Sequence, residues 1–271
     1  MKQVSKYTFA VYGTLAVLIL AIACVGIASE SAAHVQNLSA SLQAPSLQHW
    51  LGTDPLGRDQ LARLGEGIRV SLGLALMSSA LAVTVGTGLG LLAAWRGAWI
   101  ERVCSLAADA VAAIPALLWV LLIAAIAPGE KWALYSGLVL TAWVEFYRTV
   151  RPVARGVLLG EGVQASRLLG FGVAYVLRWH VWPSLAASVL KLWAYAVASA
   201  VLAVAALGFI GVGVRPPTAE LGLMMTEALP FYGEAPWLLM APVLALLACV
   251  AVLQAVSQQW PGAKYWVGNQ A

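Results

Sequence analysis

Two carboxylate side chains, Asp109 and Glu145, lie within long apolar stretches of this 271-residue chain. An ionised carboxylate is costly in contact with lipid, so such groups usually face a bundle interior or a water-filled path. In a path they can relay protons, contact a cation or contact a transported solute. The alternative is structural: a hydrogen bond to a neighbouring helix or, for Glu145, an i,i+3 ion pair with Arg148. The residues alone leave both interpretations open.

The rest of the sequence carries no recognisable catalytic machinery. It contains no nucleophile elbow, no phosphate-cradling glycine loop and no Walker sequence. The three histidines and three cysteines show no metal-ligand spacing; they are His34, His49, His180, Cys24, Cys104 and Cys249. We therefore predict no catalytic residue, no metal site and no cofactor bound by this chain.

The composition indicates an integral membrane protein. Hydrophobic residues make up 61% of the chain and charged residues only 10%, whereas soluble domains carry roughly 25% charged residues. Basic residues are scattered at segment ends, which does not point to nucleic acid. A helix needs about 20 apolar residues to span a bilayer. The apolar runs predict an all-α fold with about six transmembrane helices: Tyr7–Ser29, Val70–Trp95, Val103–Ala127, Trp132–Phe146, Leu185–Val214 and Trp237–Val256.

Charge predicts the orientation of these runs. Lys and Arg favour the cytoplasmic side of a membrane, and here they concentrate in alternate segments while most acidic residues fall in the others. Both termini and the loop 160–183 are thereby predicted to be cytosolic. The first run is longer than a signal-peptide core of roughly 7–15 residues, so we interpret it as a retained helix. The predicted organisation is a helix at 1–30, an extracytoplasmic segment at 31–69 and a membrane core at 70–260.

The cytosolic loop has its own predicted structure. Val163–Leu169 reads as a short helix, Gly170 breaks it, and Val173–Trp182 forms a second helical stretch that leads to Pro183. A helix–glycine–helix unit across the inner ends of the spans can be gripped by a cytosolic partner. A plain interfacial amphipathic loop is the alternative.

The loop resembles the EAA loop of ABC-importer permeases. That pattern is Glu-Ala-Ala, three residues, Gly, nine residues, then Ile-x-Leu-Pro. Ala165, Gly170 and Pro183 match it in type and spacing, whereas Gln164 stands for Glu and Ser166 for Ala.

A second segment, His49–Asp59, resembles the signature that follows the first helix in C-type permeases of the dipeptide/oligopeptide/nickel family. Its matching residues are Gly52, Thr53, Asp54, Gly57, Arg58 and Asp59. The segments Arg69–Leu72 and Gly208–Val214, and Arg102 with Asp109 and Pro115, extend the likeness along nearly the whole chain.

The resemblance implies a type I ABC-importer permease fold in the bacterial inner membrane. It implies a heterodimer with a second homologous permease, two ATPase subunits that bind ATP and Mg²⁺, and an extracytoplasmic solute-binding protein. The coupling site would comprise Gln164, Ala165, Ser166, Gly170 and Pro183, whereas Asp109 and Glu145 are candidates for the translocation path.

Three questions stay open in the sequence. Asp54 and Arg58 either order the outer gate or meet the binding protein, or they form an ion-paired turn. The family imports peptides, nickel and metallophores, and the sequence does not choose among them. The alternative function is an ion-coupled secondary transporter that uses Asp109 and Glu145.

Overall fold

The computed structural model describes residues 33–259, together with positions 13, 17, 19–22 and 24. The predicted first span and the residues after Gln259 lie outside the described residues, apart from those isolated positions.

Regular structure in the described residues is helical, apart from one isolated antiparallel β-bridge between Thr53 and Asp59. A π-helical turn, Leu177–Val181, joins α6 to α7, and 3-10 turns occupy Leu38–Ala40 and Leu229–Phe231. The α-helices in chain order are α1 (Gln60–Arg96), α2 (Ala98–Ala112), α3 (Ala116–Ile126), α4 (Lys131–Leu158), α5 (Glu161–Leu168), α6 (Val173–Val176), α7 (Trp182–Ile210), α8 (Leu221–Ala228) and α9 (Pro236–Gln259). The all-α class predicted from the composition is confirmed.

Three helical segments are long and apolar enough to cross a membrane: α1, the continuous stretch Val173–Ile210, and Pro236–Gln258 of α9. A fourth crossing results if α2 and α3 together form one span. These two helices meet at a bend of 82°. Pro115 lies at this break, where it has no backbone N–H to continue the helix and its ring opposes the preceding turn. The predicted run Val103–Ala127 is therefore two helices rather than one.

The predicted short span, Trp132–Phe146, lies within α4. This helix continues to Leu158, and its second half carries Arg148, Arg151 and Arg155. Within 33–259, α4 is not among the helices that meet the criteria of length and apolar composition. The described residues thus hold three or four crossings by these criteria, compared with about six predicted for the whole chain.

The fold divides into two compact units. The first comprises the described residues up to Met77, with Leu121–Tyr135 and Val197–Ala255. The second comprises Ser78–Val120 and Ser136–Ala196, with the described residues after Ala255. The segment His49–Asp59, named here the outer signature, falls in the first unit, and the loop 160–183 falls in the second.

The core of the first unit joins α1, α8 and α9. Leu64 and Ile68 of α1 pack with Leu221 and Met224 of α8, and α9 adds Cys249. Gly222 allows α8 to approach α7 closely, because the Cβ of any other residue there would overlap the carbonyl of Ala205.

A fully buried carboxylate, Glu220, begins α8 in this unit. Its Oε2 accepts the Leu223 N–H at 3.0 Å, which caps the helix. Its Oε1 accepts the Ser71 hydroxyl of α1 at 2.9 Å. Gly208 of α7 leaves the necessary room, because a Cβ there would overlap Oε2. Burial raises the pKa of Glu220, and the hydrogen bonds from backbone N–H groups and Ser71 partly oppose that rise.

The raised pKa of Glu220 predicts a pH effect on stability. A carboxyl whose pKa is higher in the folded state contributes stability below its unfolded pKa, and this contribution is lost as pH rises through the folded pKa. We expect Glu220→Gln, which stays neutral, to gain stability relative to the wild type as pH rises. Thermal unfolding of both proteins in detergent across mildly acidic to neutral pH measures this difference. The exposed Glu234→Gln is the matched control, and a pH-independent difference for Glu220→Gln would contradict the prediction.

Polar side chains tie α2 to α4 in the second unit. The α2 members recur every four residues and therefore share one face. The pairs are Glu101 with Arg151 (3.2 Å) and Arg155 (2.6 Å), Ser105 with Tyr147 (2.8 Å), and Asp109 with Arg148 (2.7 Å).

Candidate functional site

Helix α5 ends in a Schellman motif centred on Gly170. The Gly170 N–H donates to the Arg167 carbonyl at 3.0 Å, and the Phe171 N–H donates to the Ser166 carbonyl at 3.1 Å. Gly170 has φ +83°, in the left-handed region that glycine adopts without a Cβ clash. The predicted break and turn at Gly170 are confirmed.

One side of α5 is anchored in the core of the second unit. Val163 is buried with Val176 and Val181 in an apolar cluster that also includes residues of α4. Ser166 donates its hydroxyl to the Gly162 carbonyl at 2.9 Å, and its Oγ lies 2.9 Å from Nε2 of His180. Because the hydroxyl hydrogen is used on the carbonyl, His180 donates from Nε2 in this arrangement. The serine that replaces the alanine of the EAA pattern thus links α5 to the π-helical turn.

Two exposed polar residues of α5 also bind neighbouring segments. Gln164 donates from Nε2 to the Leu159 carbonyl at 3.0 Å, which satisfies an acceptor just after the end of α4. A glutamate could not make this bond, because a carboxylate has no hydrogen to donate. The Arg167 guanidinium lies over the Trp95 ring of α1, 4.8 Å from its centroid.

The opposite side of this segment presents large apolar groups to the exterior. Leu168 is 90% exposed and Leu169 is 76% exposed, and Ala165 beside them is also exposed. Phe171 is exposed and stacks on Tyr175 with ring centroids 4.1 Å apart. We name the exposed residues Ala165, Leu168, Leu169 and Phe171 the α5 surface. Contiguous exposed apolar groups on an anchored helix are typical of a protein-binding surface.

A π-helical turn directly precedes Pro183. Trp182 donates its N–H to the Leu177 carbonyl, an i→i+5 bond. Pro183 follows directly after this turn as the second residue of α7, and Ser184 donates its hydroxyl to the His180 carbonyl at 3.2 Å. The second helical stretch, predicted as Val173–Trp182, therefore continues through Pro183 to Ile210.

The outer signature, His49–Asp59, forms a compact turn ahead of α1. Gly52 has φ +74° and Gly57 has φ +70°. A Cβ at Gly57 would overlap the Asn37 carbonyl, and a Cβ at Gly52 would lie 2.5 Å from the Gln43 carbonyl oxygen. Both glycines are needed for conformation and for space.

A buried ion cluster lies beneath this turn and comprises Asp54, Arg58, Arg63 and Glu227. Asp54 is 2% exposed, and its Oδ2 accepts from Arg58 Nε at 2.6 Å and Arg63 Nη1 at 2.8 Å. Its Oδ1 accepts the N–H groups of Leu56 and Arg58, each at 2.9 Å. Arg63 reaches across to Glu227 of α8 at 2.7 Å. Asp54 and Arg58 therefore form the ion-paired turn that the sequence offered as one alternative.

The other two signature residues hold the ends of the turn. Thr53 donates its hydroxyl to the Ala40 carbonyl and accepts the Gln43 N–H at 2.9 Å. Asp59 caps α1 by accepting the Ala62 N–H at 2.8 Å, and its second oxygen bonds His49 Nδ1 at 2.8 Å.

The two carboxylates of the apolar stretches differ in their environments. The Asp109 side chain is 67% exposed and pairs with Arg148 at 2.7 Å, which matches the structural alternative of a bond to a neighbouring helix. Arg148 is thus used by Asp109, and the i,i+3 pair predicted with Glu145 is not formed. Glu145 is exposed and has no ion pair or hydrogen bond to another described residue.

Three residues that contact the predicted site residues were not recognised in the sequence: Arg63, Glu227 and His180. Arg63 and Glu227 are 164 positions apart, so no local pattern links them. Among the described residues, no group of three or more His, Cys, Asp or Glu side chains has an arrangement suited to a metal ion.

Comparison with known proteins agrees with this geometry. Residues 86–260, more than half of the chain, match the family described as binding-protein-dependent transport system inner membrane component. The dipeptide transport system permease protein DppC of Alkalihalophilus pseudofirmus is 31% identical over 253 residues, covering 92% of this chain and 83% of that protein. The oligopeptide transport system permease protein OppC of Bacillus subtilis is 31% identical over 206 residues, covering 76% of this chain and 68% of that protein.

A solved structure supports the fold. The methionine ABC transporter MetNI, in an inward-facing conformation, aligns with a TM-score of 0.55 at 18% identity, covering 72% of this chain and 93% of the matched chain. The predicted type I importer permease fold is confirmed.

Proposed function

Because this chain belongs to the family of binding-protein-dependent transport system inner membrane components, we propose that it is the peptide-conducting permease subunit of an ATP-driven importer. The dipeptide and oligopeptide permeases among its relatives support peptides as the substrate class over nickel or metallophores. The chain itself is a multi-pass inner-membrane subunit without catalytic function. A second homologous permease, two ATPase subunits that bind ATP and Mg²⁺, and a solute-binding protein complete the proposed transporter.

The α5 surface is the proposed contact with the ATPase, and its anchoring is the observation that carries this assignment. Leu168 and Leu169 project outward while Val163 and Ser166, on the other side of the same helix, are fixed in the core. A helix held in this way can transmit a push from a partner to α4, whereas a loosely attached loop would absorb it. Charge asymmetry supports a cytosolic position for this surface and for both termini.

The outer signature is proposed to order the extracytoplasmic gate from within. Asp54 and Arg58 are buried, which supports an internal role over direct contact with the binding protein. For the path, the exposed Glu145 is the better of the two candidates, because Asp109 is already paired with Arg148. Family membership does not favour the ion-coupled secondary transporter.

Reconstitution of the complex tests the proposed function. The chain is co-expressed with the candidate ATPase, second permease and binding protein of its source genome, purified through a tag on this chain and placed in liposomes. We expect the ATPase to co-purify, and a labelled dipeptide to accumulate only with ATP and the binding protein. Nickel uptake without peptide uptake would overturn the substrate class, and ATP-independent uptake driven by an ion gradient would overturn the importer assignment.

A further inference from the structure

A groove in the second unit lies between the end of α1 and the π-helical turn. Six residues line it: Leu91, Ala174, Leu177, Arg178, Val181 and Trp182. Its volume is about 270 Å³ and one side is open to the exterior. We name it the interfacial groove.

The interfacial groove lies near the ends of two helical segments that are long and apolar enough to cross a membrane. Leu91 precedes the last residue of α1, Arg96, by five positions, which is about 7.5 Å along a helix. Arg178 and Trp179 follow Val176 at the start of the long apolar stretch that ends at Ile210. Trp side chains concentrate where a bilayer meets water, and Trp182 forms one wall of the groove.

The groove is apolar except for one cation. Leu91, Leu177 and Val181 provide the aliphatic lining, and Arg178 provides the charge. Arg178 is exposed and forms no ion pair with any other residue in the described part of the chain. A guanidinium at the mouth of an apolar groove can bind a phosphate through paired N–H groups.

Size and charge together select the occupant. Sites that enclose a whole small molecule measure roughly 300–1,000 Å³, so this open groove is suited to part of a longer molecule. An acyl chain fits the aliphatic lining while the phosphate meets Arg178. No acidic side chain lines the groove, so an amine headgroup would find no carboxylate there.

We propose that the interfacial groove binds an anionic glycerophospholipid, with its phosphate on Arg178 and an acyl chain against Leu91, Leu177 and Val181. This site is independent of the transported substrate and of the ATPase contact. Its proximity to α5 through the buried Val176 and Val181 places the lipid beside the segment that anchors the α5 surface.

Fluorescence quenching by brominated lipids tests the site. The full-length chain is placed in phosphatidylcholine liposomes that contain a minor fraction of brominated phosphatidylglycerol or, separately, the same fraction of brominated phosphatidylcholine. The difference between the wild type and Trp182→Phe isolates the signal of Trp182. We expect brominated phosphatidylglycerol to quench Trp182 several-fold more than brominated phosphatidylcholine.

Substitutions at Arg178 distinguish a specific lipid-binding site from non-specific contact with bulk lipid. Arg178→Gln is expected to reduce the several-fold preference for phosphatidylglycerol to little or none, since a charged hydrogen bond is lost. Arg178→Lys is expected to retain much of it, and Arg102→Gln, an exposed arginine of α2, to leave it unchanged. Equal quenching by the two brominated lipids, a preference that survives Arg178→Gln, or absence of Trp182 quenching would each overturn the proposal.

Discussion

Replacing Gly170 with proline is expected to abolish ATP-driven uptake while the chain still enters the membrane. Gly170 has φ +83°, whereas the proline ring fixes φ near −65°. Proline also removes the N–H that donates to the Arg167 carbonyl. The loss amounts to about 3 kcal/mol of local stability, enough to dissolve the Schellman motif and displace Leu168 and Leu169. The spans do not depend on this turn, so insertion is retained.

Uptake and ATPase co-purification, measured on the same membranes, distinguish a coupling defect from a folding defect. Gly172→Ala is the matched control, because Gly172 has φ −77° and a Cβ there would meet no atom within 4 Å. Gly170→Ala is expected to lie between the two, since the left-handed region costs an alanine about 1–2 kcal/mol. Normal uptake by the proline variant would remove Gly170 from the coupling site.

Replacing Asp54 with alanine is expected to destabilise the protein by about 3–5 kcal/mol. The substitution leaves the buried guanidinium groups of Arg58 and Arg63 without the carboxylate that both contact. It also leaves two backbone N–H groups of the turn, those of Leu56 and Arg58, without their acceptor. The expected result is a large fall in the thermal unfolding midpoint and in the amount of folded protein recovered from membranes.

Asp59→Asn provides the comparison for Asp54→Ala. Asp59 belongs to the same turn but is partly exposed, and an asparagine can still cap α1. We expect its effect to be about 1 kcal/mol or less. An unfolding midpoint for Asp54→Ala close to that of the wild type would show that the arginines find other partners and that the buried ion cluster is not required for stability.

Local sequence chemistry was sufficient to predict the helical form of the loop 160–183 and its break at Gly170. A glycine between two short helical stretches indicated a helix, a turn and a second helix. The structure has this arrangement, with the Schellman motif at Gly170 as the turn. The sequence separated Val173–Trp182 from the span that begins at Leu185, whereas the two form one continuous helical stretch. Here the wide π-helical turn, in which the Trp182 N–H donates to the Leu177 carbonyl, directly precedes the proline.

Long-range partners were beyond local reasoning. The charge spacing on α4 favoured a pair between Arg148 and Glu145, but the bent segment α2 brings Asp109 to Arg148 instead. The burial of Glu220 was also unforeseen, because it depends on Gly208 of another helix leaving space for the carboxylate. In both cases tertiary packing determined the partner.

The pairing of Arg63 with Glu227 has a consequence for the order of folding. During synthesis Asp54, Arg58 and Arg63 appear early, and this group carries one positive charge in excess until Glu227 is made. Since 164 positions separate the two residues, nearly the whole chain must be threaded into the membrane before that charge is compensated. The pair therefore joins an early segment of the chain to a late one: until α8 is in place, Arg63 lacks the second carboxylate that it contacts in the folded unit.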